Sequence, residues 1–186
     1  MSIAYNILPE CFVDTNIVNT FLAMEGVHLD TNHCHGCNKV GNMMQGKLKD
    51  EFALGVIDND KKQHSYNNQF NLLGKTEHLE LLKHNSKHHY LIRVSPAMDG
   101  FILDVANKQK IDMSDYELPD KLKDFTVITK DAKAKDCKNL KRLFKDMVDD
   151  DEMTMLKKVL GYLCQNKYNC DEKVLLSFFQ SLKLKK

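Results

Sequence analysis

Apolar residues near the start of the chain form a short run and then a longer stretch with helical spacing. Residues 3–8, "IAYNIL", have the length of a strand, which Pro9 would end. Apolar side chains then recur at helical intervals, predicting a helix that Asp14 or Thr15 caps and Gly26 ends. The chain is therefore predicted to begin with a strand followed by a helix.

The same alternation of elements continues through residue 57. Residues 38–50 carry apolar side chains on one face of a predicted second helix. The continuous apolar run "FALGVI", residues 52–57, has the length of a strand that is buried on both faces. Strands that alternate with helices are typical of an α/β fold with a parallel sheet.

The middle of the chain contains a leucine-rich segment followed by clearer strand and helix patterns. Leucine spacing predicts that residues 66–84 are helical in parts, and residues 88–94, "HHYLIRV", have strand character. A helix is predicted for residues 97–110, with Ser95 as its cap and Pro96 at its first position.

The pattern beyond residue 112 is helical. Three amphipathic segments, "NLKRLFKDMV", "EMTMLKKVLGYL" and "EKVLLSFFQSL", are joined by polar links. The acidic run at residues 149–152 is placed to start the second of them, because carboxylates stabilise the positive end of a helix. We therefore predict an α/β domain over residues 1–112, with a mostly parallel sheet flanked by helices, and a helical C-terminal region over residues 113–186 packed on it.

Composition and charge favour a cytoplasmic protein over a membrane or secreted one. The chain has 27 Lys and Arg against 26 Asp and Glu, so no overall basic field points to nucleic acid, although a local patch is compatible with it. No apolar run approaches the roughly 20 residues that span a bilayer. The first residues also lack the basic flank and apolar core of a signal peptide. We expect a cytoplasmic protein with no membrane association and free thiols.

Carboxylates follow the predicted strands. Glu10 comes after the first strand, and Asp58 and Asp60 come directly after the buried one. In an open α/β sheet the carboxyl ends of strands line the functional crevice, which Asp14 and Asp99 can also face. Such hard oxygen ligands suit Mg²⁺ or Mn²⁺. The alternative for a D-x-D sequence is an ordinary turn with Asx hydrogen bonds.

Three segments resemble motifs of the Toprim family. "ILPECFVDTNIVNTFL" resembles the first motif, an apolar strand followed by Glu and then by an Asp that starts a helix. "FALGVIDND" resembles the second, a buried strand that ends in D-x-D. "IRVSPAMDGFIL" resembles a later segment of small Toprim-like nucleases, such as the RloB-like and overcoming-lysogenization-defect-like groups. The likeness covers residues 3–106, and it departs from the family at Cys11, where Gly is usual, and at Lys62, where a third acid often stands.

The resemblance implies a Toprim-like, Rossmann-like fold and a Mg²⁺-dependent nuclease, or a related phosphodiester-handling enzyme that acts on DNA or RNA. Glu10 would be the general acid or base or a metal ligand. Asp58 and Asp60 would be metal ligands, and together with Glu10 they would form the catalytic set. Asp14 and Asp99 would be supporting acids around the metal.

Three lysines are candidates for contacts with a nucleic-acid backbone. Lys61 and Lys62 follow the D-x-D sequence directly, and Lys39 lies near the start of the second predicted helix. For Lys61 and Lys62, charge balance beside the aspartates is an equally good interpretation.

Residues 28–37, "HLDTNHCHGC", contain three histidines and a C-x-x-C pair, and three interpretations are open. The segment can be a loop and helix start in which Cys37 packs inward. Its helix N-terminus can offer N–H groups to a phosphate. It can also hold zinc, although no second pair of cysteines has the spacing of a zinc module.

Two main functional hypotheses follow. One is the Mg²⁺-dependent nuclease with nucleic acid as its partner. The other is a non-catalytic Toprim-like module that binds nucleic acid or a protein partner, as in a defence system. A zinc-stabilised binding protein that uses residues 28–37 is a third.

Overall fold

The computed structural model describes residues 3–59 and 64–183. The strands are β1 (Ile3–Ala4), β2 (Ile7–Pro9), β3 (Asp30–Thr31), β4 (Ala53–Asp58), β5 (Phe70–Lys75), β6 (Leu79–His84) and β7 (His89–Val94). The helices are α1 (Phe12–Met24), α2 (Cys37–Gln45), α3 (Met98–Lys108), α4 (Leu122–Thr129), α5 (Lys138–Asp146), α6 (Asp151–Asn166) and α7 (Glu172–Lys183). No helix in these ranges is both long enough and apolar enough to cross a lipid bilayer.

Five of the strands form one mixed sheet in the order β2–β4–β7–β6–β5. The first three are parallel, and β6 and β5 continue the sheet antiparallel. Strands β1 and β3 form a separate parallel pair. The predicted α/β class is therefore confirmed, and the predicted parallel arrangement is found for β2, β4 and β7, whereas β6 and β5 run antiparallel.

Strand β4 is the centre of the parallel part and is buried along its whole length, as predicted. It pairs with β2 on one side and with β7 on the other. The register aligns Pro9 with Val56, and Asp58 with Val94. The carboxyl ends of these three strands consequently lie at one edge of the sheet.

The prediction of helix for residues 66–84 was wrong. Apart from a 3-10 turn at Ser65–Gln69, this segment is the hairpin formed by β5 and β6. Short apolar runs do not distinguish helix from strand by periodicity alone, and here pairing of β6 with β7 decides. The hairpin also packs against α7, since a Cβ atom on Gly74 would lie 2.6 Å from the Phe179 ring.

Both predicted caps near the sheet edge differ from the structure. Helix α1 begins after Cys11, so Asp14 lies within its first turn and accepts the Cys11 N–H at 3.0 Å. Helix α3 begins at Met98, beyond the expected Ser95 and Pro96. The acidic run does start α6, because Asp150 caps it and accepts two backbone N–H groups at 2.8 and 3.2 Å.

The two faces of the sheet are covered unequally. Helix α2 covers one face, over a cluster that includes Leu8, Val40 and Ile57. The other face carries α1, α3 and C-terminal helices over one larger core that runs from Ile7 to Phe179. Residues of both the predicted α/β domain and the predicted helical region therefore share a hydrophobic core.

Candidate functional site

Glu10 and Asp58 meet at the carboxyl edge of the parallel strands. Glu10 directly follows β2, and Asp58 is the last residue of the neighbouring β4. The carboxylate of Glu10 accepts the backbone N–H of Asp58 at 3.0 Å, while its own N–H donates to the carbonyl of Val56 at 2.9 Å. Because both residues are fixed by sheet pairing, the relative position of the two acids is set by the backbone.

Asp58 is also bonded to the start of α3. Its Oδ1 accepts the N–H of Met98, the first residue of that helix, at 2.9 Å. The positive end of a helix stabilises a nearby carboxylate. This contact supplies the cap that the sequence pattern assigned to Ser95, and it joins the acidic edge to α3.

Asp14 lies behind this pair with no exposed surface. Its Oδ2 accepts the N–H of Cys11, whereas Oδ1 has no hydrogen-bond partner among the described residues. Burial, followed by the negative charges of Asp58 and Glu10, raises the pKa of Asp14 well above its usual range. The three carboxylates are therefore close enough to repel, and a proton or a cation relieves that repulsion.

The described carboxylates of the edge suit an ion that is bound by one or two protein ligands and by water, rather than an ion surrounded by protein ligands. In the ranges 3–59 and 64–183, the only three Asp, Glu, His or Cys side chains whose ligand atoms all lie within 4.8 Å of one another are Glu77, His78 and Glu152. Mg²⁺ usually keeps several waters and binds through one or two carboxylates. Glu10 and Asp58 fit that mode, and the Oδ1 of Asp14, which has no hydrogen-bond partner in the described part of the chain, is a further oxygen beside them.

The remaining predicted site residues have different outcomes. Asp60, Lys61 and Lys62 lie outside the described residues. Asp99 is half-buried in the first turn of α3, next to the residue that donates to Asp58. Lys39 is exposed near the start of α2.

Cys11, which stands where the resembled motif has Gly, does not strain the turn after β2. Its φ is −128°, in the extended region that any residue adopts. Burial, followed by the charge of Asp14, raises the pKa of its thiol. The departure from the motif at this position therefore has no conformational cost, and Cys11 stays a neutral thiol.

His33 and His35 lie beside the acidic edge. The sequence did not predict this position for the two histidines. The N–H groups of Cys34 and Gly36 each donate at 3.0 Å, to the carbonyls of Pro9 and Glu10 respectively. This backbone pairing holds the loop against the end of β2.

The two histidine rings are ordered by contacts with α1. His33 stacks on Phe12 at 4.2 Å, and its Nδ1 shares a hydrogen bond of 3.1 Å with the hydroxyl of Thr15. Its Nε2 shares a second one of 3.0 Å with His35. Burial, followed by the charge of His35, lowers the pKa of His33, which favours a neutral imidazole at neutral pH.

The cysteines of the same loop belong to the core. Cys34 and Cys37 are 3% and 6% exposed and belong to the apolar cluster between α2 and the sheet. Burial raises the pKa of Cys34 to about 11. Of the three interpretations of this segment, the inward-packed loop and helix start agrees best with these contacts.

Comparison with known proteins identifies no relative. No family model matches the chain, and neither a curated protein nor a solved structure matches it. Inference about function therefore starts from the geometry of the acidic edge.

Proposed function

We propose that the chain is a Mg²⁺-dependent enzyme that hydrolyses phosphodiester bonds in DNA or RNA. The observation that carries the proposal is the meeting of Glu10 and Asp58 on adjacent parallel strands, with the buried carboxylate of Asp14 behind them. The order of these acids along the chain supports the Toprim resemblance.

Glu10 and Asp58 would hold the ion, with Asp60 as a further ligand. When bound, Mg²⁺ lowers the pKa of a coordinated water and offsets charge on phosphoryl oxygens. The protein contributes fixed positions, because Glu10 is bonded to the backbone of β4 and Asp58 to that of α3. Asp14 has no hydrogen-bonded partner on Oδ1 within the described chain, and a cation bound nearby would offset the repulsion from Asp58 and Glu10 that raises its pKa.

Basic side chains near the edge support a nucleic-acid substrate. The positive charges of Lys39 and Lys135 both act on His33, so they lie on the side of the edge where that ring sits. Lys135 belongs to a segment that is anchored to α1, since the side-chain amide of Asn16 donates to the carbonyls of Ala134 and Cys137 at 2.6 and 3.1 Å. Lysines in such positions neutralise backbone phosphates without reading sequence.

The second candidate is the non-catalytic module that binds nucleic acid or a protein partner. It is favoured by one observation: the edge acids do not form a three-ligand set within 4.8 Å in the described part of the chain. In this candidate the basic side chains still contact backbone phosphates, and the acids only form hydrogen bonds that stabilise the fold.

One assay separates the two candidates. Labelled single- and double-stranded DNA and RNA are incubated with the protein and Mg²⁺ or Mn²⁺, with and without chelator. We expect cleavage that the chelator abolishes and that Glu10→Gln and Asp58→Asn each reduce at least about 100-fold, the lower end of the contribution of a positioned acid or base. Asp58→Asn retains an oxygen for the N–H of Met98, and the exposed Asp120→Asn is the matched control.

Two results would contradict the enzyme proposal. If nucleic acid binds but no substrate is cut with either ion, the non-catalytic module is the better description. If calorimetry detects no Mg²⁺ or Mn²⁺ binding that depends on Asp58, the metal site itself is refuted.

A further inference from the structure

A second group of metal-ligand side chains lies at the same sheet edge, separate from Glu10 and Asp58. His78 immediately precedes β6, and its carbonyl accepts the N–H of Ser95 at 2.7 Å. Leu79 pairs with Val94 across β6 and β7, and Val94 pairs with Asp58 across β7 and β4. Two strand spacings therefore separate the groups. That is about 10 Å, too far for both groups to share one ion.

His78 is held in place on three sides. Glu152, in the first turn of α6, accepts its backbone N–H at 3.0 Å with one oxygen and bonds to Nδ1 at 2.7 Å with the other. Asp104 of α3 lies 3.4 Å from Nε2. The imidazole also stacks on Phe101 with ring centroids 5.0 Å apart. A ligand ring fixed by a carboxylate on its other nitrogen is the usual arrangement at metal sites.

Glu77 completes the group, and the group opens to solvent. Ligand atoms of Glu77, His78 and Glu152 all lie within 4.8 Å of one another, with Glu77 exposed and Glu152 buried. Together with Asp104 and Lys108 they line a cavity of about 350 Å³. The cavity has room for an ion and coordinated waters.

Protonation of His78 would not balance the negative charge of the carboxylates around it. Three carboxylates, from Glu77, Asp104 and Glu152, surround one imidazole, and a protonated His78 would cancel only one of their charges. The nearby ammonium of Lys108 is paired with Asp150 at 2.5 Å. A divalent ion supplies the positive charge that the protein side chains around the cavity lack.

We infer that Glu77, His78 and Glu152 bind a divalent transition-metal ion of the Zn²⁺ type on the Nδ1 side of the imidazole, while Asp104 holds Nε2 on the opposite side of the ring. One imidazole nitrogen among carboxylate oxygens favours Zn²⁺ over Mg²⁺, which prefers oxygen ligands alone. The ligands come from the β5–β6 turn and from α6, so the ion cross-links the sheet to a C-terminal helix. This site is independent of the proposed nuclease site.

The test is zinc binding by the full-length chain after chelator treatment and dialysis. Calorimetric titration with Zn²⁺ should give one site per chain at this cluster. Glu77→Gln and His78→Gln should each weaken it by roughly 10- to 100-fold or more, since even an outer partner of a metal ligand contributes that much. Asp58→Asn and Asp120→Asn should leave the affinity unchanged. Thermal unfolding of the wild type should shift upward with Zn²⁺, because the ion binds the folded state.

Mn²⁺ as a paramagnetic probe locates the ion. Amide resonances of residues 76–79, 104–105 and 152 should broaden in Asp58→Asn, in which the other edge site is removed. Zinc affinity that is unchanged in Glu77→Gln and His78→Gln would overturn the assignment, as would broadening confined to residues 28–37. Absence of zinc binding by the wild type would overturn it as well. Since Glu77 is exposed, its variant gives the answer even if His78→Gln does not fold.

These outcomes are distinguishable from failure of the proposed function. Asp58→Asn tests cleavage while leaving the zinc site intact, and Glu77→Gln does the reverse.

Discussion

Replacement of Asp14 by asparagine should stabilise the metal-free protein near neutral pH. The wild-type carboxylate is fully buried, and within the described ranges its Oδ1 lacks a hydrogen-bond partner. Asparagine retains an oxygen for the N–H of Cys11, which Asp14 accepts at 3.0 Å. It also removes the negative charge that Asp58 and Glu10 repel.

The magnitude follows from two opposing effects. Leaving a buried polar group unpaired costs about 1–3 kcal/mol, and more for a charged group. Losing a carboxylate from the first turn of α1 costs about 0.3–1 kcal/mol. Relief of the unpaired charge is the larger effect, so we expect a net gain of about 1–2 kcal/mol in the free energy of unfolding. For a chain of this size that corresponds to roughly 2–8 °C in Tm.

The gain should depend on pH with a defined sign. Because the pKa of Asp14 is raised in the folded state above its ordinary value of 3.8, the native protein retains a proton that the unfolded chain releases. The contribution of Asp14 to stability is therefore fully present below that value and is lost as the pH rises through the folded pKa. The variant lacks this loss, so the difference between the two proteins should grow from pH 4 toward pH 8.

Urea unfolding followed by circular dichroism, in the presence of EDTA, measures these differences, with Asp120→Asn as the control. Added Mg²⁺ should stabilise the wild type more than Asp14→Asn, because the cation offsets a charge that only the wild type carries. A variant that is less stable than the wild type at pH 7–8 would refute the reasoning, since the carboxylate would then be stabilising as a charge.

Three further substitutions test contacts that stabilise the fold. Gly74→Ala should cost about 1–3 kcal/mol in urea unfolding, because the added Cβ would lie 2.6 Å from the Phe179 ring, and Phe179→Leu should restore part of the loss; an unchanged midpoint would contradict this packing. Asn16→Ala should cost about 1–3 kcal/mol and speed hydrogen exchange around Ala134, whose carbonyl loses its donor at 2.6 Å; uniform exchange rates would argue against that anchor. Asp150→Ala should cost about 0.5–2 kcal/mol by uncapping α6, whereas Asp120→Ala should leave the unfolding midpoint unchanged.

Elements with a strong local pattern were predictable from the sequence. The six residues of β4 are all apolar except the last. An amphipathic helix would instead place polar residues between its apolar ones. The amphipathic helices α5 and α6 were likewise evident from spacing alone. The residues 66–84 misled because their leucines satisfy both periods, and the pairing of β6 with β7 that decides between them is not local.

The site was predictable only where strands carry it. Glu10 and Asp58 meet because Glu10 follows one strand and Asp58 ends its parallel neighbour, which the pattern indicated. His33 reaches the edge through hydrogen bonds between distant backbone segments, and no spacing in the sequence encodes them. The group around His78 was missed for the same reason, since Glu152 lies 74 positions further along the chain.

Hydrogen bonds join Asp58 both to Glu10 and to the start of α3, so a change at Asp58 can be detected at a neighbouring element. The backbone N–H of Asp58 donates to the carboxylate of Glu10, and its side chain accepts the N–H of Met98. Any ligand that draws the Asp58 oxygen away from α3 leaves the Met98 amide without its acceptor. The exchange rate of that one amide proton would therefore report occupancy of the edge without a substrate or a measurement of turnover.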